Sequence, residues 1–226
     1  MKKLVLVWCM MWLAGSAFGI ERPVLEQRAQ KLIAEFDAMQ QRPDKRVPAE
    51  LLQKAHGIIL LDRTKAGFVF AYQGGSGLAM VKDNHGRWSP LAFMKANEAS
   101  LGFQIGGQQS FIVILLMTDE TTKSLIADAA FEFGGEARGT AGDTSSGVEG
   151  KVDSLERAVV IFDSRQGLFG GAAIKGGALS PDHDGNRIYY GGAFSMQDIL
   201  FDKKLKPTAP AQLLASKLES YSKSDK

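Results

Sequence analysis

The chain is poor in the residues that carry most covalent and metal chemistry. Of its 226 residues one is cysteine, Cys9, and three are histidines, His56, His85 and His183. A lone cysteine excludes an internal disulfide framework, and so few sulfur and imidazole ligands at no metal-binding spacing argue against a zinc site. Charge of one sign is lacking too. There are 27 Lys and Arg against 25 Asp and Glu, and Lys2 and Lys3 lie in the first residues. Without those two lysines 25 basic residues face 25 acidic ones, so the basic pI of about 8.6 is no argument for nucleic acid binding. Long apolar runs are short of the ~20 residues that cross a bilayer.

What opens the chain is a short basic start, an apolar stretch from Leu4 to Leu13, and small residues at Gly15, Ser16, Ala17 and Gly19. That order reads as a secretory signal cleaved after Gly19 or Ala17, with export to the periplasm or medium expected. Cys9 falls inside it and follows Trp8, which does not fit lipoprotein attachment.

Apolar residues make up 45 % of the chain, with 13 Phe, enough for one sizeable core. Residues 24–40 place Leu25, Ala29, Leu32, Phe36 and Met39 at helical spacing. "PAELLQKAHG" reads as a short helix with Pro48 in its first turn. "GIILLD", "GFVFAY", "GLAMVK", "LAFMKA", "SLGFQIGG" and "SFIVILLMT" read as strands joined by turn residues. "DETTKSLIADA" reads as a helix capped by Asp119 or Thr121. "RAVVIFD", "LFGGAAIKGG" and "RIYYGGAF" read as further strands, "SMQDILF" as a short helix, and "AQLLASKLESYSK" as a last amphipathic helix. The division expected is a signal peptide at 1–19, an N-terminal helix and linker at 20–47, the main domain at 48–206, and a C-terminal helix and tail at 207–226. The fold class is α+β: a strongly curved, mostly antiparallel β-sheet or barrel-like core with a few flanking helices.

Glycine is abundant at 25 residues and recurs in pairs, among them Gly74–Gly75, Gly106–Gly107, Gly134–Gly135, Gly170–Gly171, Gly176–Gly177 and Gly191–Gly192. No phosphate-binding motif accompanies them. Gly150-Lys151 is followed by Val152 where a P-loop needs Ser or Thr, and "GSGLAM" has Met80 in place of a third glycine. Ser76 is followed two residues later by Leu78, which rules out a nucleophile elbow. "DHDGN" has glycine at the fourth position and reads as a β-turn rather than a calcium loop. The glycines are therefore read as bulges, bends and close backbone approaches in a sheet, ahead of a ligand cradle.

The pieces "KAGFVF", "GGSGLAMV", "GRWSP", "GFQIGGQ" and "GLFGGAAIKGG", in that order, resemble the SYLF domain family over roughly Leu51 to Leu200. The resemblance implies a lipid-binding module and no enzyme, with no catalytic residues, metal or cofactor to carry over. Eukaryotic members bind phosphoinositides, and some are linked to actin and membrane remodelling; bacterial members often carry a signal peptide. In the eukaryotic members a basic amphipathic helix at the start of the domain meets anionic membranes. Here Arg28 and Lys31 stand against Glu26, Glu35 and Asp37, so lipid binding carries over as a class and the named ligand does not.

A lipid site needs apolar contacts and one or two cations. Lys65 and Lys175 are the first cationic choices, Arg63 and Arg87 the second, and Phe68, Trp88, Phe103 and Phe169 the apolar lining. The partners expected are a lipid or membrane surface, with envelope proteins as the alternative. An exposed apolar patch or tunnel near Lys65 and Lys175 favours lipid. A sealed core with an exposed sheet edge favours a protein-interaction module. A cleft with a polar cluster around Ser76 or His56 is what a hydrolase or transferase requires.

Overall fold

Among the described residues the longest uninterrupted apolar run, Phe111–Met117, lies beside Ile58–Leu61 near the middle of one sheet, and every residue in both runs is buried. The computed structural model describes residues 21–66, 72–96, 110–126, 131–133, 158–164, 167–169, 177–202 and 204–223. Its strands are β1 (Gly57–Ala66), β2 (Tyr72–Val81), β3 (Ala92–Ala96), β4 (Ser110–Leu116), β5 (Phe131–Phe133), β6 (Val159–Asp163), β7 (Gly167–Phe169) and β8 (Gly177–Pro181). Its helices are α1 (Arg22–Gln40), α2 (Ala49–Lys54), α3 (Asp119–Lys123), α4 (His183–Tyr190), α5 (Met196–Leu200) and α6 (Ala209–Tyr221). A single 3₁₀ turn, Ser124–Ile126, follows α3.

The strands form one sheet in the order β5-β8-β3-β2-β1-β4-β6-β7, and every pairing is antiparallel. This is the expected α+β class. The sheet ends at β5 and β7, and among the described residues no pairing joins them, so the described strands form an antiparallel sheet that is not closed into a barrel.

Strand alternation explains the layers. Ile58, Leu60, Leu78, Met80, Phe93, Val113, Leu115 and Phe162 meet α1, α2, α4 and α6 on one face. Ile59, Leu61, Val81, Met94, Ile112, Ile114, Leu116 and Ile161 meet α5 and the 3₁₀ turn on the other. A strand covered on both faces needs no polar alternate residues, which is why β4 is continuously apolar. Each fully buried Leu, Ile or Phe contributes roughly 1.5–3 kcal/mol relative to exposure.

Gly75 and Gly77 of β2 bear out the reading of close approach. A Cβ on Gly75 would stand 2.9 Å from the Ala96 Cβ and 3.0 Å from the Asp62 carbonyl oxygen, and one on Gly77 3.0 Å from the Leu60 carbonyl oxygen.

The stretch read as a strand at "RIYYGGAF" is a correction, for Arg187–Tyr190 close α4 and the next four residues leave it, and "DHDGN" begins that helix rather than forming a β-turn. Asp182 caps it by accepting from the Gly185 N–H at 3.0 Å, and Gly191 ends it in the left-handed region at φ 69°. Asn186 then docks the helix onto β3: its Oδ1 accepts from the Phe93 N–H at 2.7 Å and its Nδ2 donates to the Phe93 carbonyl at 3.1 Å. Ile and Tyr favour strands weakly, and the caps with this side-chain bridge outweigh that preference. For α3 the cap is Thr118 instead of Asp119 or Thr121; its hydroxyl accepts from the Thr121 N–H at 3.2 Å. The strand expected at "SLGFQIGG" lies outside the described residues.

Candidate functional site

The β1–β2 hairpin borders two clefts, one at its Gly57–Val81 end and one near its middle, at the Asp62–Ser76 pair. At one end His56 continues the sheet: its N–H donates to Leu116 at 2.8 Å and its carbonyl accepts from the Lys82 N–H at 2.7 Å. That places the end of α2, the end of β2 and the start of α3 around a cleft of about 240 Å³. It is lined by Gln53, Lys54, His56, Lys82, Asn84 and Asp119 together with Ala55 and Asp83.

The charges in this cleft come from three elements. Lys82 donates to the Gln53 carbonyl at 3.0 Å, and its ammonium stands 4.9 Å from the centroid of the Trp88 ring. Burial pulls its pKa below the ordinary lysine range, while the ring and the carbonyl both favour the charged form. His56 Nδ1 lies 2.6 Å from Asp119 Oδ1, an exposed contact. Asp83 is matched by Arg87, whose Nε and one terminal nitrogen donate to its Oδ2 at 3.1 and 3.0 Å. Lys54 and Lys82 thus stand against Asp83 and Asp119 in the lining, and Arg87, paired with Asp83 from outside it, adds one cation before His56 is counted.

A larger cleft, about 380 Å³, lies where α1 crosses β1 and β2. Its lining is Val24, Gln27, Arg28, Lys31, Leu32, Asp62 and Ser76. Its lining sets Arg28 and Lys31 against Asp62, and Glu35 and Asp182 pair with those cations just outside it. Asp62, a buried carboxylate, accepts from Lys31 Nζ at 2.5 Å, Glu35 lies 3.7 Å from the same nitrogen, and Arg28 lies 3.7 Å from Asp182. Two cations thus meet three carboxylates.

Of the eight residues chosen from sequence, Arg87 and Trp88 fall together beside the first cleft. Arg87 is exposed, and Trp88 is half buried, packed against the core beneath Lys82. Arg63 and Lys65 lie on β1 with their Cα atoms opposite Gly75 and Gln73. Lys65 is eight pairs along the hairpin from Gly57 and Val81, about 26 Å at strand spacing, so the fold does not bring it to Arg87 and Trp88. Phe169 lies on β7 opposite Ile161, apart from both. Phe68, Phe103 and Lys175 lie outside the described residues.

Sequence reasoning missed Lys54, Lys82 and the pair His56–Asp119 as neighbours. The available signal was Lys82 six residues before Trp88 across a turn; what joins them to Asp119 is pairing between β1 and β4, 63 residues apart at the His56–Asp119 contact. His56 stands just past the end of α2.

Ser76 and His56 each line a cleft, yet not the same one. Ser76 is six residues along β2 from Lys82, about 20 Å. The lining beside His56 contains no hydroxyl or thiol, so no nucleophile–base pair is formed there. Among the described residues no group of three His, Cys, Asp or Glu is placed to hold a metal ion, and no helix is long and apolar enough to cross a membrane. The only large apolar side chains standing exposed among them are Val24 and Leu213.

Residues 97–221, more than half of the chain, match the Ysc84 family, described as "Las17-binding protein actin regulator". The chain is similar to "SH3 domain-containing YSC84-like protein 1" of Bos taurus, 31 % identical over 199 residues, covering 86 % of this chain and 58 % of the relative. It is likewise 31 % identical over 198 residues to the Homo sapiens protein of that name, with the same coverage. It is 27 % identical over 213 residues to "LAS seventeen-binding protein 3" of Saccharomyces cerevisiae, covering 89 % of this chain and 46 % of that one. The chain thus spans little more than half the length of the mammalian relatives it matches. It belongs to the Ysc84 family, whose shared domain is the SYLF domain.

Proposed function

We propose that this chain is a non-enzymatic, exported lipid-binding module of the cell envelope. It takes an anionic head group at the Lys54–Lys82 cleft, with Trp88 at the membrane interface. The observation that carries this reading is the joining of two lysines, Lys54 and Lys82, to a half-buried indole at one end of the sheet, the pairing an interfacial lipid contact requires. The core supports surface contact over enclosure of an acyl chain, since both faces of the sheet are filled by side chains in the described residues.

The test uses the chain from Ile20 and vesicles of phosphatidylcholine with or without phosphatidylglycerol. Of the three tryptophans two, Trp8 and Trp12, lie in the signal, so fluorescence of this chain reports Trp88 alone. Flotation with the anionic vesicles, a blue shift of Trp88 and loss of both in Lys54→Glu/Lys82→Glu are expected. A chain that floats with neither vesicle sinks the reading.

A second reading is a protein-interaction module of the envelope. The description of the family as Las17-binding favours it, and so does a sheet that ends at β5 and β7 with each paired on one side in the described residues. Retention of a defined envelope protein by a chain that binds no vesicle would select it.

A further inference from the structure

The head-group reading leaves unused a partly enclosed group of charges at the crossing of α1 and β1. Lys31 and Glu35 are one turn apart on α1, and Asp62 faces them from β1. Lys31 Nζ touches Asp62 Oδ2 at 2.5 Å but stands 3.7 Å from Glu35 Oε1, too far for a hydrogen bond. Glu35 Oε2 is buried and has no hydrogen-bond partner. One ammonium therefore serves two carboxylates, and one of these keeps an unsatisfied buried oxygen. A charged oxygen in that position is costly, whereas a protonated carboxyl becomes a donor and removes the repulsion from Asp62.

We infer that Lys31, Glu35 and Asp62 form a proton-operated clamp between α1 and β1, tightened when Glu35 takes up a proton at mildly acidic pH. Among the described residues the charged groups facing Glu35 are Asp62 from β1 and Lys31 from its own helix. Arg28, a turn earlier, is turned to Asp182. Burial first, and Asp62 second, push the Glu35 carboxyl above the ordinary carboxylate range, and Lys31 offsets them only in part. The folded chain thus binds this proton more tightly than the unfolded one. The clamp's contribution is complete below the unfolded value near 4.5 and is lost as pH rises through the higher folded value. The same proton resets the charge of the cleft that Lys31 and Asp62 line. The inference does not depend on lipid binding.

The experiment is urea unfolding of the chain from Ile20 as wild type and Glu35→Gln, between pH 4.5 and 7.5. The expected result is a Glu35→Gln midpoint about 0.5 M above wild type at pH 7.5, with the difference closing by pH 4.5. A difference that does not change with pH, or one that grows toward pH 4.5, overturns the clamp. Carbon-13 NMR of the Glu35 carboxyl gives a second reading without the variant. A midpoint above that of the solvent-exposed glutamates, lowered in Asp62→Asn, is expected. A midpoint level with theirs, or unmoved by Asp62→Asn, rejects it.

Discussion

At the Lys54–Lys82 end of the hairpin, cations are in excess, each acid has its own partner, and most of the polar groups face solvent. At the α1 crossing, acids are in excess, one lysine is shared, and the carboxylates are largely withdrawn from water. Both clefts are built on the same two strands, so the difference comes from what covers them. The first is bordered by short elements, α2, α3 and a turn, which leave side chains free to meet a partner. The second lies beneath a 19-residue helix whose Leu25, Ala29, Leu32, Ile33 and Phe36 are fully buried, so its charges are fixed by packing. Charge that is held for recognition and charge that is held for structure respond differently to substitution, salt and pH.

The largest effect should come from breaking the enclosed pair. Asp62→Ala is expected to destabilise the chain by about 2 kcal/mol, measured by urea unfolding. That is below the range for a fully buried pair because Lys31 is about half exposed. Lys54→Glu/Lys82→Glu reverses the pattern: vesicle binding is lost while stability moves by about 1 kcal/mol or less. Salt separates the regions again. Raising NaCl from 0.1 to 0.5 M should weaken flotation severalfold, with little change in the stability difference between wild type and Asp62→Ala.

Acid sharpens the contrast within α1 itself. Two residues beyond Glu35, the Asp37 carboxyl is held below the usual range, first by Lys217 at 2.6 Å and then by the Tyr221 hydroxyl, both from α6. Its stabilisation is present above the unfolded value near 3.8 and is lost as pH falls through the lower folded value. Asp37→Asn should therefore lower the urea midpoint at pH 7 and cost less at pH 2.5, opposite in sign to Glu35→Gln. The smallest effect is expected for His56→Gln, about 0.5 kcal/mol or less in unfolding free energy, because both partners of that contact are exposed.

The periodicity of α1, the strand runs of β1 and β4, the short helix α5 and the amphipathic α6 were legible because each repeats one buried face or one apolar run over several residues. Helix α4 was not. Its Ile and Tyr residues favour a strand by local preference, while its position depends on Asn186 reaching Phe93, 93 residues earlier. Trp88 and Arg87 were recognisable as candidates from their motif; their neighbours Lys54, Lys82, His56 and Asp119 become one site only when α2, β2 and α3 meet. The Lys31–Glu35 spacing was visible in sequence, but nothing local announces Asp62 as the third member.

By itself the sequence determined the class of fold and the family: apolar runs separated by turn residues dictate strands, and glycines at Gly75 and Gly77 mark where backbones press together. The tertiary structure decided the open sheet order, the helical state of residues 183–190 and the unequal charge of the two clefts. Burial and pairing between distant strands set those outcomes. A residue's charge costs or contributes according to the atoms around it, and those atoms are assembled only when the chain is folded.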